Sequence, residues 1–310
     1  MKILITGGTG FIGSHLIPRL LKSDHKIILL KRSSSDTWRI KDFINKIIIY
    51  NIDKLRRFDE IFTENRIGLI IHLSGMYVKY HENNKQIKQM NKVNIIIPSV
   101  LLDTAARFGV KGFINTGTFF EYKQTNKKMT ENSPIKPFNY YTATKLAFEQ
   151  ILKYYASQNK IRAVSLKLFS PYGEKDNKKI IPFIVESFVN EKTLSLSKGE
   201  QKLSFTYVKD IVSGYIKTIK FITSSQYKQY ENFNIGANKA YTIKQIIGFI
   251  RKITGKKNHI KLGTLPYHEK EMMFGICDNG KAEKLLKWSP KTDIITGLTR
   301  TYQYYLNHSV

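Results

Sequence analysis

Two tyrosines stand side by side at 140 and 141, and only the second has a lysine four residues on, in Tyr141-x-x-x-Lys145. That spacing puts both side chains on one helical face. A free tyrosine titrates near about pH 10, so proton transfer at neutral pH needs help. The lysine ammonium favours the tyrosinate and can bond a nicotinamide ribose. Tyr141 can then exchange a proton with a substrate oxygen while hydride moves to or from the adjacent carbon. A hydroxyl to hold that oxygen is offered by Thr116-Gly117-Thr118. Thr118, just past a strand end, is preferred over Thr116, which is placed at the cofactor together with Asn94. Asn94 can support the network through water. The plain alternative for the Tyr/Lys spacing is a helix surface pair.

Gly7-Gly8-Thr9-Gly10-Phe11-Ile12-Gly13 completes the set. Gly7, Gly10 and Gly13 stand between an apolar strand and a helical pattern, where backbone N–H groups can cradle a pyrophosphate, with Phe11 and Ile12 opening the helix. An ordinary glycine-rich turn is the competing explanation. The second strand ends in Lys31-Arg32-Ser33, where an NAD site usually places an acid for the ribose 2′-hydroxyl. Arg32 and Ser33 favour a 2′-phosphate, hence NADP(H), with NAD(H) possible. Asp24 and Asp36 stand at the wrong offsets to supply the acid. Asn51 and Ile52 are placed beside the adenine, and Leu73, Ser74 and Gly75 along the cofactor. His72 is expected to be structural.

Elements must hold these residues in place. Apolar runs predict strands at Lys2–Thr6, Lys26–Lys31, Lys46–Tyr50, Gly68–Leu73, Gly112–Thr116 and Ala163–Phe169. Helices are predicted at Phe11–Lys22, Lys85–Phe108 (kinked or split at Pro98) and Tyr141–Gln158. The alternation implies an α/β fold, a doubly wound parallel Rossmann sheet. After Gly173 the pattern loosens, with helices at Ile181–Val189, Val208–Ile222 and Ile243–Thr254. Residues 1–173 are expected to form the cofactor-binding core with the catalytic residues. Residues 174–310 are expected to form mainly a smaller substrate-binding lobe, interleaved with that core.

Composition narrows the function classes. Lys and Arg number 51 against 24 Asp and Glu, a net charge of +27. The lysines are scattered, which argues against a nucleic-acid binder and for solvated basic faces. Such a field also draws in a small polyanion. The single cysteine fits a reducing compartment. No leader precedes the first strand and no apolar run spans a bilayer, so a cytoplasmic protein without membrane or metal partners is expected.

With these residues in hand, the chain resembles the extended short-chain dehydrogenase/reductases, in the nucleotide-sugar epimerase/dehydratase group. The markers are Thr6 to Gly13, Ile71-His72-Leu73-Ser74, Tyr141-x-x-x-Lys145, Leu168-Phe169-Ser170-Pro171-Tyr172-Gly173, Phe205-Thr206-Tyr207-Val208-Lys209-Asp210 and Asp278-x-x-Lys281-Ala282-x-x-x-Leu286-Lys287-Trp288-x-Pro290. Asn115 to Phe120, Lys198 to Gln201 and Pro266 to Met273 resemble segments of the reductases of nucleotide-linked 4-keto-6-deoxy sugars, of CDP-abequose or dTDP-fucose synthase type. The resemblance implies an NADPH-dependent 4-ketoreductase that supplies surface-polysaccharide precursors such as those of lipopolysaccharide. It implies Phe169 at the cofactor. It implies Met76, Thr118, Phe119, Phe120, Ser170, Ile180, Lys202 and His268 at a nucleotide-diphosphate sugar. It also implies a homodimer, for which Met90, Val93, Ile97, Leu101, Leu146 and Phe148 are available.

Departures from the group carry information. Phe119 and Phe120 follow Thr118 where dehydratases place Asp-Glu, which argues against elimination. Cys277 does not match the Cys/His pair of double epimerases. Leu203 and Ser204 stand where many relatives have a pyrophosphate-binding Arg, and His268 replaces another. Lys202, Lys209 or Lys270 are candidates for the missing charge. A 4-epimerase with tightly bound NAD is the competing enzyme. An NADP-binding regulatory or scaffold protein is the non-enzyme alternative.

Overall fold

The computed structural model describes residues 1–55, 57–78, 83–177, 179–224, 229–256, 260–269 and 271–308. The chain forms two compact units. Unit 1 comprises Met1–Tyr122, Ile135–Lys167 and Gly214–Phe233; unit 2 comprises Lys123–Pro134, Leu168–Ser213 and Asn234–Val310.

Unit 1 is built on strands β1 (Lys2–Thr6), β2 (Lys26–Lys31), β3 (Ile48–Asn51), β4 (Ile67–His72), β5 (Gly112–Thr118) and β6 (Arg162–Leu168). A seventh, β7 (Tyr230–Ile235), completes the sheet in the order β7-β6-β5-β4-β1-β2-β3. Pairing is parallel for β1 with β2 and β4, for β2 with β3, and for β4 with β5. Strand order reverses between β1 and β4, where a doubly wound sheet opens its ligand crevice. The Rossmann fold read from the alternation is therefore present. β7 was not legible, because Tyr-Glu-Asn-Phe-Asn-Ile is half polar and lies at the sheet edge, where a continuous apolar run is not required.

Helix α1 (Phe11–Leu21) follows β1, and α2 (Asp59–Glu64) precedes β4. The single long helix expected over Lys85–Phe108 is α3 (Asn84–Asn91), a π-helical turn at Lys92–Ile96 and α4 (Ile97–Arg107). Ile96 is itself helical, so Pro98 is interior to a continuous helix. Its missing N–H and its ring disturb the turn just before it, and the irregularity at Lys92–Ile96 falls where the kink or split was expected. Helix α5 (Tyr140–Ser157) starts one residue earlier than predicted, because Asn139 caps it: its side chain accepts from Thr142 N at 3.0 Å, and Thr142 Oγ1 accepts from Asn139 N at 3.0 Å. Met90, Leu101 and Phe148 are corrected here. All three are fully buried inside the subunit and cannot face a second copy. Ile96 and Val100 are the exposed apolar residues of that helix, at 56% and 50%.

Unit 2 carries α6 (Ile180–Val189), the first residues of α7 (Val208–Thr223), α8 (Ile243–Thr254) and α9 (Ile294–His308). Short strands tie its loops: Pro171–Tyr172 with Thr206–Tyr207, Lys202–Leu203 with Tyr241–Thr242 and Phe274–Gly275, and Leu194–Leu196 with Ile260–Leu262. Among the described residues, no helix is long and apolar enough to cross a membrane.

Candidate active site

The glycine loop is shaped by close approach. Gly7 has φ +70, and a Cβ there would lie 2.7 Å from Ser74 N. A Cβ on Gly13 would lie 2.4 Å from Gly8 Cα. Gly10 occupies the N-cap of α1 and supplies no side-chain cap, so the first turn presents uncapped N–H groups at the switch point. Leu73 N donates to Thr6 O at 3.1 Å and Ser74 N to Thr6 Oγ1 at 3.4 Å, so β1 and the loop after β4 form one rim. Asn51, at the end of β3, has a buried Oδ1 without a hydrogen-bond partner, as an acceptor awaiting an adenine amino group would. Ile52 follows, half-buried, its N–H bound to Lys31 O at 2.8 Å. The cradle and the open acceptor fit an adenine dinucleotide.

The ends of β2 and β3 hold a carboxylate that sequence offsets missed. Asp53 Oδ1 accepts the Ser33 N–H at 2.8 Å, and hydrogen bonds from the Ser33 backbone and side chain hold its carboxyl below the ordinary range. Arg32 is exposed beside it. A carboxylate therefore does stand at this corner, delivered by the β3 loop and not by the end of β2.

At the catalytic end, β5 extends to Thr118, and that settles the geometry of the two threonines. Thr116 Oγ1 is engaged with the buried Tyr215 hydroxyl at 2.6 Å. Thr118 caps the turn Phe119–Glu121 and takes the Phe120 N–H at 3.4 Å. Asn94 lies in the π-helical turn, fully buried. It accepts from Met76 N at 2.7 Å and donates to Met76 O at 3.1 Å and to Thr144 Oγ1 at 2.9 Å. It thus ties the loop after β4 to α5 directly. Gly75 faces both Asn94 and Tyr141, and the exposed Tyr77 ring stands edge-on to Tyr141 at 5.0 Å. Lys145 is buried beneath, and burial lowers it to about 8. The sequence predicts a tyrosine drawn toward tyrosinate. In the folded chain, burial, then Glu121, then Tyr77 all push Tyr141 upward.

Behind Thr118 lies a second feature missed in the sequence. Glu121, Lys167 and Glu149 are all buried. Lys167 Nζ bonds Glu121 Oε2 directly and Glu149 Oε2 at 2.8 Å, while Tyr230 donates to Glu149 Oε1 at 3.0 Å. Only their folding onto one spot reveals them, since they come from a turn, a strand and a helix. His72 is fully buried, its Nδ1 within 2.7 Å of Thr6 Oγ1.

The family profile described as "NAD dependent epimerase/dehydratase family" matches residues 3–236. The chain belongs to this family. Among its relatives, CDP-abequose synthase of Yersinia pseudotuberculosis is 30% identical over 88% of this chain and 91% of its own. CDP-abequose synthase of Salmonella muenchen is 28% identical, covering 96% of each. The structure of UDP-glucuronic acid 4-epimerase from Bacillus cereus, in complex with UDP-glucuronic acid and NAD, superposes with a TM-score of 0.88 at 25% identity over 98% of both chains. The chain is thus a nucleotide-sugar-modifying enzyme of the epimerase/dehydratase family.

Phe119 is 3% exposed, so its ring packs in the core and is withdrawn from the substrate set. Phe120 is half-buried and stacks on Phe138 at 5.6 Å. In unit 2, Phe169 is fully buried and its N–H is bound to Ile235 O at 3.1 Å, so it is withdrawn from the cofactor set. Ser170 has φ 32, a strained position for a non-glycine residue. Ile180 opens α6, and Lys202, Lys209 and His268 are exposed. Ser204, at one of the missing Arg positions, is buried and accepts the Cys277 N–H at 3.0 Å, a structural task. Lys270 lies outside the described residues.

Proposed function

We propose that the chain is an NADPH-dependent 4-ketoreductase of a nucleotide-linked 4-keto-6-deoxy sugar (hexose, dideoxyhexose or heptose) that serves surface-polysaccharide synthesis. The observation that carries this reading is the near-full-length similarity to the CDP-abequose synthases. The Thr118-Phe119-Phe120 run, which lacks the acids of elimination, supports it.

The uncapped N–H groups of α1 would hold the pyrophosphate, Asn51 the adenine, Arg32 and Ser33 the 2′ position, and Lys145 the nicotinamide ribose. NADPH, when bound, supplies the hydride. Tyr141 gives its proton to the oxygen left at C4, and the Thr118 hydroxyl donates a hydrogen bond to the same oxygen. Asn94 holds Met76 and Thr144, and so keeps the rim of the site and the Tyr141 helix in register. Phe120 and Met76 in unit 1, and Ser170, Ile180, Lys202 and His268 in unit 2, are assigned to the nucleotide sugar. A second copy is expected to pair through the α4–α5 face, now by way of Ile96, Val100, Val93, Ile97 and Leu146.

A 4-epimerase with retained NAD is the second reading. The Asp53 carboxylate at the 2′ corner and the structural likeness to a 4-epimerase favour it. The test is NADPH oxidation with a panel of CDP-, dTDP-, GDP- and UDP-linked 4-keto-6-deoxy sugars, with Tyr141→Phe as control. Turnover of one panel member, abolished by the substitution, upholds the reductase. No NADPH consumption, together with interconversion of intact nucleotide sugars, replaces it with the epimerase.

A further inference from the structure

The buried Glu121–Lys167–Glu149 cluster lies directly behind the reacting groups, yet the chemistry above uses none of it. Glu121 Oε1 accepts the Thr118 N–H at 2.9 Å, and its other oxygen is bonded to Lys167. One carboxylate therefore clamps the residue that carries the catalytic hydroxyl. The space is made by Gly117, where a Cβ would lie 3.1 Å from Glu121 Oε1 and 3.4 Å from Lys167 Cγ. Lys167 is shared with Glu149, which Tyr230 and Lys153 also engage, the latter at 3.4 Å. The lysine is thereby anchored to the turn and to α5, and Glu121 to β5 and β6.

We propose that Glu121, tied down by Lys167, is a positioning residue that fixes the Thr118 backbone and sets a negative charge behind the Tyr141–Lys145 pair, biasing the site toward proton donation. The bias has a physical cause. Two buried carboxylates face one buried lysine. Burial and Glu149 push Glu121 upward, and the bonds from Lys167 and the Thr118 N–H oppose that, so that as the anion it leaves an excess negative charge where little water can screen it. That charge opposes tyrosinate and supports the Lys145 ammonium, and both Tyr141 and Lys145 are raised by Glu121. Other groups act on the pair. On Tyr141 it is Tyr77, and on Lys145 it is Glu149, which raises it, and Lys167, which lowers it. Tyr230 and Lys153 act on the cluster through Glu149, and Lys145 in turn lowers His72. A tyrosine kept protonated is suited to finishing a reduction. An epimerase must begin by removing a proton, so this inference rests on the reductase reading.

Two substitutions separate charge from reach. Glu121→Gln removes the charge and retains an acceptor for the Thr118 N–H. It should move the basic limb of the kcat profile down by about one pH unit. Glu121→Asp keeps the charge but withdraws from Thr118. It should lower kcat about tenfold, with KM within about twofold and the limb in place. A third readout needs no substrate. Ultraviolet titration of tyrosinate, taken as the difference from Tyr141→Phe in each background, should show Tyr141 ionising at lower pH in Glu121→Gln. If Tyr141 ionises unchanged in Glu121→Gln, and Glu121→Asp keeps full kcat, the inference is overturned whatever the substrate is. If Tyr141 shifts but no keto sugar is reduced, the reductase reading fails and the charge effect stands. Should Glu121→Gln not fold, Glu121→Asp still decides the positioning.

Discussion

Thr116 and Thr118 are chemically alike and two residues apart, yet the structure gives them different work. Thr116 satisfies the hydroxyl of Tyr215, which is fully buried and pushed up by burial. Thr116→Val should cost about 1–3 kcal/mol of stability by orphaning that hydroxyl, with kcat little changed. Thr118→Val should do the reverse, lowering kcat about 10- to 100-fold while losing only the weak cap of Phe119–Glu121, about 1 kcal/mol or less. Thermal denaturation and steady-state rates on the pair decide it. A loss of activity at position 116 with none at 118 would reverse the assignment. Lys145 supplies a pH prediction. It is held at about 8, below its ordinary 10.5, so it is charged below and neutral above that midpoint. If its ammonium orients the ribose, kcat/KM for NADPH should be flat below about pH 8 and fall above it. The unfolded chain binds the extra proton between the two values, so stability should rise with pH across that window. Lys145→Met should remove both effects. The candidate pair Tyr141 and Lys145 was legible because its signal is local spacing. Glu121, Lys167 and Asp53 were not, because their meaning arises only when distant segments meet.

At the scale of elements, the glycine loop is the most constrained. Gly7→Ala would force a left-handed φ on a side chain and drive a Cβ against the Ser74 backbone. A cost of about 1–2 kcal/mol from the backbone alone is expected, with NADPH affinity falling in parallel in a fluorescence titration. An unchanged affinity would mean the loop does not hold the cofactor. The end of β2 and the loop after β3 act as one element through the Ser33–Asp53 bond. Asp53→Asn should release the Ser33 N–H from a charge and shift the NADPH:NADH affinity ratio upward by about tenfold. No shift would leave cofactor choice to Arg32 alone. The doubly wound sheet was readable from alternating apolar runs, as was α5 from its motif; the strand order was not. The break at Lys92–Ile96 was readable from Pro98, but that Asn94 within it reaches Met76 and Thr144 was not, because those contacts are tertiary.

At the scale of the whole molecule, the net charge of +27 and the exposed apolar stretch pull in opposite directions. Charge of one sign favours solubility and repels a second copy. Ile96 and Val100, half exposed one turn apart, with Tyr154 of α5 exposed at 58%, favour burial against another apolar face. Their spacing of four residues places Ile96 and Val100 on one side of the helix. If that side pairs two copies, the repulsion between them is screened by salt, while the apolar contact is not weakened. The dimer should therefore tighten as ionic strength rises and the screening length falls below about 10 Å. Ile96→Glu should yield a monomer in light scattering at every salt concentration, with its fold intact, since the side chain is already exposed. A wild-type chain that stays monomeric in high salt would mean that the apolar stretch does not mediate self-association.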